Sequence, residues 1–254
     1  MVNIRLTIAY DGSAYAGWQR QPDRPTIQAV IEDVLARRLV GQRVVLHGAG
    51  RTDAGVHARG MVANFHSPRV LPLEAYRRGL NTMLPPDIRI LDARQEEDDF
   101  HARRSARGKV YRYSFSTAAV MLPCQRLYRA HLPGPFAAGR VRGVLPQLLG
   151  RHDFSAFEAA GSRDKTRQIG RGAVRRLDVL RLEQEDQLGE EFFFEIQGDG
   201  FLRHMVRNIV GTLVAIGRGR RRIAFPDELL AAGDRSLAGP TAPACGLTLL
   251  RVIY

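Results

Sequence analysis

The 254-residue chain is 44% hydrophobic, enough for a real core in one large domain or two small ones, and its 38 Lys and Arg against 26 Asp and Glu leave a net charge of +12. An excess of base over acid calls for a polyanionic partner, either nucleic acid or an acidic membrane surface. No apolar run approaches the ~20 residues that span a bilayer. The two cysteines, Cys124 and Cys245, stand far apart in no metal-ligand spacing, and the opening MVNIRLTIAY runs straight into a strand pattern. The expectation is a cytoplasmic protein with reduced thiols, no membrane association and no signal peptide. Among the basic residues only Lys109 and Lys165 are lysine. Codon bias exchanges Lys for Arg, but it does not by itself create the excess of base.

In chain order, Ile4, Leu6, Ile8 and Tyr10 alternate with Arg5, Thr7 and Ala9, the pattern of a half-buried strand. Asp11-Gly12-Ser13 breaks it, and Tyr15, Gly17, Trp18, Gln19 and Gln21 follow in a loop closed by Pro22 and Pro25. Thr26 fits a helix N-cap; Ile27, Val30, Ile31, Val34, Leu35 and Leu39 keep helical spacing, and Gly41 ends them. Strands are expected at 44–46 and 61–65, with GAGRTDAGVHA between them. A short helix follows Pro72 over 73–80, then a strand over 88–91, and the acidic run Glu96 to Asp99 closes a β-α-β-β-α-β half.

A basic stretch, Arg103, Arg104, Arg107, Lys109 and Arg112, leads into a strand at 110–115. Residues 118–139 read as a long connection, and 141–149 as a helix started or kinked at Pro146. A loop from His152 runs through Ser162 to Arg167 and reads as exposed. Strands at about 172–182 and 191–197 make a hairpin across the acidic turn 183–190. Leu202, Met205, Val206, Ile209, Val210, Leu213 and Val214 form one apolar helical stripe with Arg203 and Arg207 at its edge. Gly217 stops it before the basic cluster Arg218 to Arg222. A short helix near 226–232 and a buried strand at 247–253 complete a second β-α-β-β-α-β set. The fold class is therefore α+β: two ferredoxin- or RRM-like halves, 1–104 and 105–254, joined in a mixed, mainly antiparallel sheet with helices on one face and a basic cleft on the other.

The loop between the second and third strands carries the chemistry. Gly48, Gly50 and Gly55 permit tight turns and clear space for a ligand, around one acid, Asp53, with Arg51 two residues before it. Most such loops are only turns. A dinucleotide fingerprint needs a third Gly where Asp53 stands, and a phosphate-binding loop needs Gly-Lys-Ser/Thr; both fail. What survives is an anionic Asp beside an Arg, available as nucleophile or base. His47, His57 and His66 lack a carboxylate or Cys partner at ligand spacing, which argues against a metal.

Gly50-Arg51-Thr52-Asp53-Ala54-Gly55-Val56-His57-Ala58 resembles the catalytic motif of the tRNA pseudouridine synthase A (TruA) family. The resemblance extends in order along nearly the whole chain. It runs through Tyr10-Asp11-Gly12 and Gly17-Trp18-Gln19-Arg20-Gln21, Asn81 with Leu84-Pro85 and Asp87-Ile88, and Phe100-His101-Ala102-Arg103. It continues through Lys109-Val110-Tyr111-Arg112-Tyr113, Asp153-Phe154 with Phe157, Phe201-Leu202 with the stretch Met205 to Leu213, Thr241-Ala242-Pro243 and Gly246-Leu247. It implies a homodimer that isomerises uridine to pseudouridine in the tRNA anticodon stem-loop, at tRNA positions 38–40, with no cofactor and no metal. It implies Asp53 as catalytic nucleophile, Arg51 as its ion partner, Tyr111 packing on the target base and Arg207 as a second basic group. Read alone, Tyr111 is a core strand residue, Arg207 a solvated helix flank and Arg218 to Arg222 a solvated turn. The alternatives are a duplicated RNA-binding module without chemistry, and a metal-dependent nuclease.

Overall fold

The computed structural model describes residues 1–161, 171–219 and 225–254. The chain forms two compact units, Met1–Arg107 with Thr248–Tyr254, and Gly108–Leu247. The predicted loop at 162–167 and Arg220, Arg221 and Arg222 of the predicted basic cluster lie outside the described residues.

In the first unit, β1 (Val2–Tyr10) buries Ile4, Leu6, Ile8 and Tyr10 on one face, none more than 4% exposed. Burial of side chains this size is worth about 1.5–3 kcal/mol each, so the alternation predicted for this strand holds it in the sheet. Helix α1 (Ile27–Val34) starts at Thr26, whose side chain accepts from Ala29 N. Its last turn, expected as ordinary helix, widens into a π turn over Leu35–Val40 and stops at Gly41 with φ +77°.

The strand expected at 44–46 is absent. Leu46 N donates to Glu32 Oε1 at 2.9 Å, and Gln28 Nε2 donates to Leu46 O at 3.1 Å. Side chains of α1 thus take the backbone groups a ladder would need. Pairing begins at the next residue, in β2 (His47–Gly48), which meets β3 (His57–Ser67). A π turn over Ala75–Gly79 and the single-turn α2 (Leu80–Met83) replace the helix expected at 73–80, and β4 (Ile88–Glu96) follows. The strand order is β4-β1-β3-β10, where β10 is Leu247–Ile253; β1 is antiparallel to both neighbours, and β10 runs parallel to β3. Thr248–Tyr254, read from sequence with the second half, thus belong to the first unit.

In the second unit, β5 (Gly108–Ser116) is flanked by β6 (Ala130–His131), which lies in the predicted long connection. Helix α3 (Ala138–Val144) tightens to 3₁₀ over Leu145–Leu148 at Pro146. Next come β7 (Gly150–Asp153), β8 (Val174–Gln184) and β9 (Glu191–Gly198). The expected hairpin is present, and β5-β9-β8-β7 are antiparallel throughout. The predicted loop at 152–157 instead contributes β7. Helix α4 (Met205–Gly217) buries nearly every residue, and α5 spans Pro226–Ala232.

Candidate active site

The loop from Gly48 to Val56 is held by the segment that leaves β1. Tyr10 Oη lies 2.9 Å from Thr52 Oγ1, Trp18 N donates to Thr52 O at 3.1 Å, and Gly55 N donates to Tyr15 O at 3.4 Å. Val56 N returns to Asp53 O at 3.2 Å, closing a turn that Gly55 permits with φ +76°. A Cβ on Gly12 would stand 2.0 Å from Val56 O, and one on Gly17 2.4 Å from Thr52 O. On Gly48 it would meet the Trp18 indole nitrogen at 2.5 Å. Three glycines therefore let two segments touch where a methyl group has no room. Asp53 sits half-buried at the apex, with buried Thr52 and Val56 on either side.

The clasping segment is itself anchored. Tyr15 Oη donates to Asp87 Oδ1 at 2.7 Å; burial, then the Asp87 carboxylate, pushes that phenol well above its usual range. Asp11 N donates to Asp87 O, and His57 Nδ1 lies 3.1 Å from Gly12 N and 3.2 Å from Asp11 Oδ1. Trp18, 2% exposed, packs at 6.1 Å from Tyr10. Arg51 is exposed and borders a cavity of about 440 Å³.

Tyr111 lies on β5 opposite Ile196, 7% exposed, with its ring edge-on to Phe201 at 5.1 Å. Tyr113, on the same face, donates from Oη to Pro243 O at 2.9 Å, and burial raises its pKa far above that of a free phenol. Arg207 is no loose helix flank. Its Nε donates to Ala242 O at 2.8 Å while Ala242 N donates to Arg207 O at 3.1 Å, locking α4 to the loop after Pro240. Gly211 makes that approach possible, since a Cβ there would sit 1.7 Å from Pro240 O. The buried Asn208 donates to Phe157 O and accepts from Thr241 Oγ1 at 2.7 Å. Three separate blocks of the sequence resemblance, those of Phe157, Asn208 and Thr241, thus meet through one buried amide.

A family model described as tRNA pseudouridine synthase matches residues 6–103 and 145–254. The chain is 49% identical over 254 residues to tRNA pseudouridine synthase A 1 of Desulfotalea psychrophila, covering all of both chains. It is 47% identical to tRNA pseudouridine synthase A of Myxococcus xanthus, over all of this chain and 92% of that one. The figure is 45% for that of Pelobacter propionicus, over the whole of both.

The chain belongs to this family.

Of the three histidines weighed as metal ligands, His57 serves the clasp, His66 reaches Asp98 O at 3.3 Å, and His47 packs on His101 at 5.0 Å between ring centroids. The described residues contain no group of three His, Cys, Asp or Glu placed to hold a metal, and no helix long and apolar enough to cross a membrane. Cys124 and Cys245 are both free, and Cys124 stands exposed. The sequence motif Phe100-His101-Ala102-Arg103 suggested no task of its own. Asn3 and Asn64 escape sequence reading altogether, because a polar side chain inside an apolar strand carries no period of its own.

Proposed function

We propose that the chain isomerises uridine to pseudouridine in the tRNA anticodon stem-loop, at tRNA positions 38–40, with Asp53 as the catalytic nucleophile. Membership of the synthase family makes it an isomerase acting on tRNA. The observation that carries the reading to Asp53 is the clasped loop: one half-buried carboxylate at the apex of a turn that hydrogen bonds and methyl-free contacts hold on both sides. In the reaction the N1–C1′ bond breaks, the uracil turns, C5 bonds to C1′, the hydrogen on C5 leaves to water, and N1 takes up a proton in its place. Glycoside hydrolases use two carboxylates, one of them to protonate the leaving group. Uracil leaves as a stabilised anion and stays in the site, so one carboxylate suffices.

A paired uridine is out of reach, so it must be flipped from its stack. By resemblance Tyr111 packs on the target base, Arg51 serves the Asp53 carboxylate and Arg207 is a second basic group. Their backbone-anchored placement in β5 and α4 supports this for Tyr111 and Arg207. The net charge of +12 suits a polyanion. A tRNA substrate fits a cytoplasmic protein, and the resemblance implies a homodimer; sedimentation showing an active monomer would overturn the latter.

The test is release of tritium from C5-labelled uridine in an unmodified tRNA transcript. Wild type should release label with chelator present, and Asp53→Asn should bind tRNA but release none. No release from any tRNA, with tight binding by both proteins, would leave the RNA-binding module. Inhibition by chelator would favour the nuclease.

A further inference from the structure

The cavity of about 440 Å³ beside the catalytic loop lies wholly within the first unit, and its size falls within the range of small-ligand pockets, about 300–1,000 Å³. One wall is Gly50 and Arg51, two residues before Asp53; the other is the turn bearing His101, Arg103 and Arg104. Three guanidinium groups line it, and none of the described residues lining it is acidic. The pair His47 and His101 supplies ring surface at its side.

The turn is built, not draped. Asn64 Oδ1 accepts from Ala102 N at 2.9 Å, and Asn64 Nδ2 donates to Asn3 Oδ1 at 2.9 Å and to Phe100 O at 3.2 Å. Asn3 Nδ2 donates to Glu97 O and Phe100 O, and Tyr254 Oη donates to Ala102 O at 2.8 Å. Asn3, Asn64 and Ala102 are at most 1% exposed. Two buried amides hold a surface turn whose Arg103 and Arg104 stand exposed. His101 ties the far side. Its Nδ1 accepts from Arg103 N at 3.1 Å and from Arg104 N at 3.4 Å, which leaves the ring proton on Nε2 as a donor. Burial, then His47 and Arg104, lowers its pKa below 6.5, so near neutral pH it is an uncharged ring. The cavity thus pairs fixed positive charge with flat uncharged surface, the two demands of a nucleotide.

We propose that this cavity is a subsite for the tRNA nucleotide next to the target uridine, with its phosphate on Arg103 and Arg104 and its base against His47 and His101. The inference rests on the synthase reading, which places the target at Asp53; two residues of chain span at most about 7 Å, close to one nucleotide step. Arg103 and Arg104 are therefore positioning residues that hold the strand while Asp53 acts.

The experiment uses the full chain with Arg103→Gln and Arg104→Gln together, and His47→Ala separately, on the C5-tritiated transcript. Both guanidiniums are exposed, so melting should be unchanged. The double variant should raise the half-saturating tRNA concentration at least about tenfold, with the saturated rate within about twofold. Its log–log salt slope of binding should be shallower by about 1 for each phosphate no longer neutralised. His47→Ala should weaken binding about 5-fold or more with an unchanged salt slope, because stacking carries no counterion. Wild-type half-saturation and slope in the double variant, or a fall in saturated rate alone, would overturn the subsite. Absence of tritium release by wild type would instead sink the synthase reading, and binding by the Asp53→Asn chain would still read the salt slope.

Discussion

The two units spend their irregularity in different places. Between the second and third strands of the first unit lies the glycine loop with Asp53, gripped by the segment from Tyr10 to Trp18. In the second unit the connection between β8 and β9 is a plain hairpin turn in which Asp186 accepts from Glu190 N and Glu191 N. The helices reverse the contrast. The first unit has only a π turn and the four residues of α2 after β3, whereas the second has the thirteen-residue α4 after β9, pressed against the loop at Pro240. The first unit's long connection carries the candidate acid, and the second unit's long helix carries the bracing.

The largest test of that contrast is at the two acids. Asp53→Asn should lower turnover by at least about 10⁴-fold, the scale seen when a catalytic carboxylate is lost, with tRNA binding kept. Asp186→Asn should leave turnover within about twofold and change stability by less than about 1 kcal/mol. If both lose activity, the halves are not divided as described.

Glycine substitutions come next. Gly211→Ala forces a methyl onto Pro240 O and should cost about 1–3 kcal/mol, seen as a fall in melting temperature of roughly 3–10 °C. Gly12→Ala meets Val56 O instead, and its penalty should appear mainly as lost turnover, because the displaced strand end carries the Asp53 loop. Equal losses of stability and activity in both variants would erase the distinction.

These glycines also mark where sequence reading stops. The Asp53 loop was legible because its glycines, acid and base lie together, and α5 and the β8–β9 hairpin because their signals are local. The grip of Gly12 and Gly17 on that loop was not, since a close approach between segments forty residues apart leaves no period. The missing strand at 44–46 failed for the same reason. Its residues are apolar enough, but Gln28 and Glu32, distant in sequence, took the Leu46 backbone.

Smaller effects sharpen the description of the first unit. Asn64→Ala leaves Ala102 N without its acceptor and should cost about 1–3 kcal/mol. Faster amide exchange confined to 100–105 would locate the damage there. His101 faces His47, Arg103 and Arg104, which with burial keep its folded pKa below that of the unfolded chain. The unfolded chain therefore binds the proton more readily, and stability from this group is complete above pH 6.5 and declines as pH falls below it. His101→Asn should flatten that acid limb of the melting curve slightly. Least of all, a thiol reagent at pH 8 should modify Cys124 quickly and Cys245 slowly, because Cys245 is half-buried and burial raises its pKa.

Strand β10 has a consequence for how the protein is made. Its Thr248 and Leu249 pair with His57 and Ala58, immediately after the Asp53 loop, and Arg107 N donates to Ile253 O. The ribosome delivers this piece only after all of Gly108–Leu247, a delay on the order of ten seconds at usual elongation rates. The half begun first is thus finished last. During that interval the strand that opens at His57 waits with an open edge, so a nascent chain carries its Asp53 loop beside an unfinished sheet until the second unit has already been made.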